Sequence, residues 1–352
     1  MDAFNYSPKM LMRLSNDRVF ASAPFVLIDI GCAMGINPVW RSFGDDLHAH
    51  AFDPQEDECS RLQAEEKNRH VHYHAAFVGL PDGHAFHQGG GFQKCLTASS
   101  FSLPALFDRS SSCLAGSRKQ ARTAAKPALP VETTEQWWRT GRLSACTTSI
   151  SDFASEQNIT SIDFVKIDTD GRDLEAAASC RDVIRQTNIL GFMIECFFVG
   201  SDDPRENSFH NVDAFMRSNG FALYALTVNK YSRAALPAPF VYPALYQTIS
   251  GQPLWGDMVY LRDAAAHDYA AVWGGDELSP TKLLKLACLY ELFHLEDCAA
   301  ELLVRYRDRI QDLIEPTILL DALTPPLGGV ARSYREYVTL FEENPEAFFP
   351  SS

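Results

Sequence analysis

Between residue 25 and about residue 220, apolar runs of strand length alternate with amphipathic runs of helical length. "FVLIDIG", "HAHAFDP", "HVHYHAAFVG", "IDFVKIDTDG" and "NILGFMIECFF" read as strands. "QEDECSRLQAEEKN", "RDLEAAASCRDVIRQ" and "NVDAFMRSNG" read as helices after the second, fourth and fifth of them. Strands that are apolar on both sides of the pleat need cover on both faces, and helices between consecutive strands supply it. The pattern therefore predicts an α/β fold with a doubly wound, mostly parallel sheet. After Gly220 the alternation stops, and "FALYALTV" and "DMVYLRD", joined by a Pro-rich loop, predict an antiparallel edge.

The chain accordingly divides into an N-terminal helical segment (1–24), a sheet domain (25–263) and a C-terminal helical region (264–352). A stretch from about residue 89 to 147, rich in Ser, Ala, Gly and basic residues, interrupts the alternation and reads as an insertion or lid. In the last region Leu283, Leu286, Ala287, Tyr290 and Phe293 recur at helical spacing, and Ser279 before Pro280 is a start signal. A break near His294 to Asp297 predicts a helical hairpin. It reads as an appendage packed on the main domain, with a homodimer surface as the alternative.

A net charge of -14 without a compensating basic stripe speaks against a nucleic-acid partner. Nine cysteines without a C-x-x-C pair suit a reducing compartment, which predicts a cytoplasmic location. The first 20 residues are too charged for a signal peptide. The uncharged stretch Ala234 to Gly256 carries Pro237, Pro239, Pro243 and Pro253, which would break any membrane-spanning helix.

"FVLIDIGCAMGINPVW" is a buried strand running into a glycine turn and a helix, the usual place for a nucleotide. A dinucleotide fingerprint needs G-x-G-x-x-G. Here Gly31 is followed by Cys32, Ala33, Met34, Gly35 and Ile36, so pyrophosphate is disfavoured. Asp29 at the strand end would repel phosphate and attract a cation, such as the amino and sulfonium groups of S-adenosylmethionine. Asp53, ending the second strand, stands where an acid accepts hydrogen bonds from ribose hydroxyls; capping the next helix is its structural alternative.

"VLIDIGCAMGINPV", "AFDPQ", "TTSISDFASEQNITSIDFVKIDTDGRDLEAA" and "NILGFMIECFF" resemble, in order and spacing, the FkbM-type methyltransferase family, with its D-x-G-x-x-x-G turn and later K-x-D-x-E-G motif. The resemblance covers roughly residues 25 to 262, and a strand-like "TSISDF" opens its most specific piece. It implies a Rossmann-like class I methyltransferase fold that O-methylates hydroxyls of sugars, glycans or other small natural products. It also implies S-adenosylmethionine as cofactor, released as S-adenosylhomocysteine. Carried onto this chain, the cofactor residues are Asp29, Gly31, Cys32, Ala33, Gly35, Asn37, Asp53, Asp168 and, beside adenine, Ala76 and Phe77. Where the family has Glu, this chain has Asp170.

Methyl transfer to a hydroxyl requires in-line placement and removal of a proton. Asp168, Asp170 and Glu195, at or near two strand ends, are the candidate catalytic residues; helix capping is the alternative for the first two. Lys166 reads as a covered or edge strand residue. Several carboxylates in one crevice leave room for a divalent metal, but no His or Cys spacing enforces one. His48, His50, His70, His72 and His74 alternate along two strands and read as polar faces near the open side of the sheet. Phe240, Tyr242, Tyr246 and Trp255 lie on the uncharged loop, and Tyr242 and Tyr246 are the candidate acceptor contacts. Two other functions compete: an NAD(P)-dependent oxidoreductase, and a nucleotide-binding scaffold that has lost its chemistry.

Overall fold

The computed structural model describes residues 4–81, 142–169, 171–200, 202–231 and 247–349. Contacts divide the chain into two compact units: Leu27–Ile36 with Ala49–Leu261, and Met1–Val26 with Asn37–His48 and Arg262–Ser352. Most of the span 89–147, together with Asp170, Phe240, Tyr242 and Tyr246, lies outside the described residues.

Ten strands are described: β1 (Phe25–Ile30), β2 (Leu47–Asp53), β3 (Val71–Ala75), β4 (Phe77–Val78), β5 (Thr147–Thr148), β6 (Phe164–Ile167), β7 (Gly191–Phe197), β8 (Ala222–Leu226), β9 (Asn229–Tyr231) and β10 (Gln252–Leu261). Eight form one sheet in the order β3-β2-β1-β6-β7-β10-β8, with β9 also paired to β10. β3, β2, β1, β6 and β7 are parallel, and β10 runs antiparallel to β7, β8 and β9. The order reverses between β1 and β6, as in a doubly wound, Rossmann-like sheet. The central strands are apolar almost throughout: FVLIDI carries only Asp29 and FVKI only Lys166 as charged residues. Such strands are stable where helices cover both faces, here including Glu56–Glu65, Ile150–Glu156 and Phe209–Ser218.

Six local expectations need correction. The antiparallel strand β10 lies one place in from the edge, because β8 pairs on its outer side. "HVHYHAAFVG" breaks at Ala76, whose N–H donates to Asp53 O at 3.1 Å, and β4 leaves to pair with β5 in a separate small sheet. "TSISDF" is mostly helix, because Ser149 caps Ile150–Glu156 through the Asp152 N–H at 2.9 Å. "RDLEAAASCRDVIRQ" splits into Asp173–Ala178 and Val183–Gln186. The helix after the glycine turn is a 3-10 segment, Pro38–Asp46. The end of the uncharged loop is strand: Pro253 and Trp255 belong to β10, with the ladder bulging between them.

In the other unit, Ser279 caps Pro280–Leu292 and His294 takes a positive φ of 59° before Glu296–Arg305 begins, so the hairpin forms where its signals stand. The Glu291 carboxylate accepts the N–H groups of Met10 and Leu11, both at 2.8 Å, near the start of helix Lys9–Asn16. This satisfies donors that a helix N-terminus leaves open. Arg262 is fully buried, with its guanidinium 3.5 Å from the centre of the Trp273 ring and a hydrogen bond to the Tyr269 hydroxyl at 3.2 Å.

Candidate active site

The carboxyl ends of β1 and β6 meet where the strand order reverses, the position at which open α/β sheets leave a crevice. Register places Asp29 opposite Lys166, so the single charges of the two central strands face each other. Lys166 Nζ lies 3.3 Å from Asp29 Oδ1 and 3.5 Å from Asp168 Oδ2, and it donates to Gly31 O at 2.8 Å. Burial works against the ammonium, but the two carboxylates outweigh it and hold the Lys166 pKa above the ordinary lysine value. Burial pushes the Asp29 pKa upward, and Lys166 opposes it. Asp29 Oδ1 nevertheless lacks an aligned hydrogen bond, a buried oxygen with spare capacity for a donor. Lys166 is therefore the hub of the crevice, and it is covered, as its place in a strand predicts.

The glycine turn is built for close approach between strands. Gly31 has φ 81°, and a Cβ there would stand 1.7 Å from Asp168 O, inside any allowed contact. Gly31 N–H and Cys32 N–H both donate to Phe52 O, at 2.8 and 3.1 Å. Gly35 N–H donates to Cys32 O at 2.8 Å, and Met34 N–H to Glu58 Oε1 at 3.2 Å. With the N–H groups of Gly31, Cys32, Met34 and Gly35 used inside the protein, the turn is a poor cradle for phosphate. Asn37 Oδ1 accepts from Val39 N–H at 2.9 Å and so caps the 3-10 segment. Ala33 lies within the turn, beside Met34, whose side chain is 84% exposed.

Asp53 ends β2 and is buried; its Oδ1 accepts from Gln55 N–H at 2.9 Å, and burial pushes its pKa up. It shapes the turn that leads into Glu56–Glu65, while Gln55 is the residue at the cap position. Ala76 and Phe77 follow directly at the β3 to β4 break, with Phe77 N–H donating to Cys146 O at 2.9 Å.

Residues two apart on a strand share a face, so Lys166, its register partner Met193, Glu195 and the latter's partner Asp257 all lie on one face of the sheet. Asp168 follows Lys166 by two positions and is 44% exposed. Thr227 closes this row: its hydroxyl donates to Asp257 Oδ2 at 3.0 Å and accepts from Asp257 N–H at 2.9 Å. Burial first, then the charge of Asp168, raises the Asp257 pKa. Asp257 was missed in the sequence, where nothing says that "DMVYLRD" pairs beside "MIECF".

Asp173 was also missed; it holds the turn before helix Asp173–Ala178, whose cap position is Arg172, while the Leu174 N–H donates to Asn207 Oδ1 at 3.2 Å. Asp173 is fully buried and accepts from Thr169 N–H at 2.6 Å, Gly171 N–H at 3.0 Å and Asn207 Nδ2 at 2.7 Å. Burial pushes its carboxyl up to about 7 against those bonds. Asn207 also donates to Glu195 O at 3.1 Å, linking the loop after β6 to the end of β7. The signal lay in "TDGRD", an acid placed to receive the N–H groups of its own preceding turn.

Of the histidines, His72 is exposed, while His50 and His74 are half-buried and packed. His50 Nδ1 and His74 Nε2 are 3.2 Å apart, and Phe153 meets both rings edge-on at 5.2 and 4.9 Å. Burial lowers His74 to about 4. Among the described residues no group of His, Cys, Asp or Glu is arranged to hold a metal ion, and no helix is long and apolar enough to cross a membrane.

The Methyltransferase FkbM domain family matches residues 41–223, more than half of the chain. No curated protein matches it. Among solved structures it is similar to a Streptococcus pneumoniae protein ascribed tRNA methyltransferase activity and solved with S-adenosyl-L-methionine. Sequence identity is 10% and the TM-score 0.31, over 89% of this chain and 98% of that one.

Proposed function

The chain belongs to the FkbM methyltransferase domain family, and from that premise we propose that it transfers a methyl group from S-adenosylmethionine to a hydroxyl of a sugar, glycan or other small natural product. The observation that carries this reading is the cluster at the strand-order reversal in which Lys166 Nζ lies 3.3 Å from Asp29 and 3.5 Å from Asp168. Carboxylates there suit a cationic cofactor and oppose a pyrophosphate, and the occupied N–H groups of the glycine turn argue the same way.

The residues fit the cofactor. Its ammonium group would meet Asp29, whose buried Oδ1 has capacity for a donor, and its carboxylate would be drawn by Lys166. The ribose diol would meet Asp53 at the end of β2, with adenine beside Ala76 and Phe77. Gly31, Cys32, Ala33 and Gly35 supply the turn beneath it, and Asn37 only the cap that follows. When bound, S-adenosylmethionine supplies an electrophilic methyl group. This chain's part is to orient the hydroxyl and take its proton, with Asp168 and Glu195 at the carboxyl edge and Asp170, Tyr242 and Tyr246 as further candidates. Trp255, two positions from Asp257 on β10 and donating to the Tyr231 hydroxyl at 3.2 Å, offers an aromatic surface to an acceptor ring.

The test is transfer of labelled methyl from S-adenosylmethionine to a panel of methyl glycosides, alongside NAD reduction as a control. Labelled ether product sustains the reading. NAD turnover without methyl transfer refutes it.

A further inference from the structure

Resting on the methyl-transfer reading, we propose that Asp257 is the catalytic base that takes the proton of the acceptor hydroxyl, with Thr227 as its positioning residue. Three observations converge on Asp257. It faces the same side of the sheet as Lys166 and Glu195, and the antiparallel register sets it opposite Glu195, near the carboxyl end of β7 and level with the residue that follows β6. Its side chain is held in one orientation: Thr227 Oγ1 accepts Asp257 N–H at 2.9 Å, which turns the hydroxyl proton toward Oδ2 at 3.0 Å. The backbones are also clamped. Thr227 N–H donates to Asp257 O at 2.9 Å, and a Cβ on the preceding Gly256 would stand 2.0 Å from Thr227 O.

Its neighbours distinguish it from the other acids. Asp168 is paired with Lys166 at 3.5 Å, so its negative charge is committed to an ammonium. Asp257 feels Asp168 and Lys166 with opposite signs, and burial makes it a stronger base than an exposed aspartate. The groups facing it are Glu195 from β7, Asp168 and Lys166 from β6, and the neutral Thr227 hydroxyl beyond β8; Cys196 feels its charge from the other face of β7. A base whose pKa moves toward neutrality is the better matched to its task.

The step balances. The acceptor O–H bond breaks and its proton passes to an Asp257 carboxylate oxygen. The oxygen's electron pair forms the new O–CH3 bond, and the departing C–S pair stays on sulfur. The positive charge of the donor and the negative charge of the aspartate vanish together.

Asp257→Asn and Thr227→Val are to be compared with the unaltered protein in three measurements: S-adenosylhomocysteine affinity by calorimetry, carboxyl titration by carbon-13 NMR, and methyl transfer to the glycoside panel. Asp257→Asn should bind S-adenosylhomocysteine within about twofold, remove one carboxyl that titrates above the ordinary aspartate range, and slow transfer by about 10²- to 10⁴-fold. Thr227→Val loses a bond that favours the ionised carboxylate, so the acidic limb of its rate profile should move to higher pH. Unchanged transfer by Asp257→Asn overturns the proposal, as does loss of S-adenosylhomocysteine binding in that variant, which would mark a structural role. An unaltered protein that binds no S-adenosylhomocysteine overturns the methyl-transfer reading itself and the base assignment with it.

Discussion

Asn207 Nδ2 donates to Asp173 Oδ2 at 2.7 Å, and the same amide donates to Glu195 O at 3.1 Å, so one buried side chain ties the loop after β6 to the end of β7. Asp168 precedes that loop and Glu195 sits on that strand. The relative placement of two candidate catalytic acids therefore depends on a pair that need not touch substrate.

Removing the amide leaves a buried carboxylate short of a donor. Asn207→Ala should destabilise the protein by about 2 to 4 kcal/mol in urea titrations. In a double-mutant cycle with Asp173→Ala the two effects should fall well short of additive, since both variants break the same knot.

Gly31 and Gly274 both have positive φ, 81° and 65°, yet only Gly31 is crowded: a Cβ on Gly274 would meet nothing within 4 Å. Gly274→Ala should cost about 1 kcal/mol, the ordinary penalty of that backbone region. Gly31→Ala must also push against the Asp168 carbonyl. It should cost more than about 3 kcal/mol in denaturant titrations and abolish S-adenosylhomocysteine binding.

Lys166→Met leaves Asp29 buried without its cation. At neutral pH the loss should be about 3 to 5 kcal/mol. Burial without Lys166 lifts the folded pKa of Asp29 further, so in the variant this group favours folding below its ordinary value near 3.8 and disfavours it as pH rises through the folded value. The stability gap between the two proteins should widen from pH 4 to pH 8 in thermal denaturation.

Glu291 allows a pH test away from the crevice. Burial pushes it up to about 7 from 4.5 despite the bonds from Met10 and Leu11. A carboxyl raised on folding adds stability below its unfolded value and loses that contribution as pH climbs through the folded one. Between about pH 4.5 and 7 its contribution should fall by up to about 3 kcal/mol. The melting temperature of Glu291→Gln relative to the unaltered protein should therefore improve on going from pH 5 to pH 8.

Much of the crevice could be read from single strands. Asp29, Asp53, Asp168 and Glu195 stand at or near the ends of apolar runs, and a strand end is visible in one dimension. Residues defined by pairing were not visible. Lys166 read as a bland strand side chain because its partner, Asp29, lies more than a hundred residues away and meets it only through the β1 to β6 register. Asp257 was hidden because no local pattern says that β10 inserts between β7 and β8. The break at Ala76 and the 3-10 segment after Asn37 escaped for a related reason: one depends on a bond to Asp53 O, the other on a cap over three residues, and neither alters hydrophobic periodicity.

The central claim is that the crevice between β1 and β6 holds S-adenosylmethionine. Calorimetric titration of the purified protein with S-adenosylhomocysteine, beside Asp53→Ala and with NAD as control, tests it most directly. The account predicts saturable binding of S-adenosylhomocysteine that weakens at least about tenfold in Asp53→Ala, the loss of roughly one good hydrogen bond to a charged group, and no heat from NAD. Saturable binding of NAD, or no binding of S-adenosylhomocysteine, would contradict it.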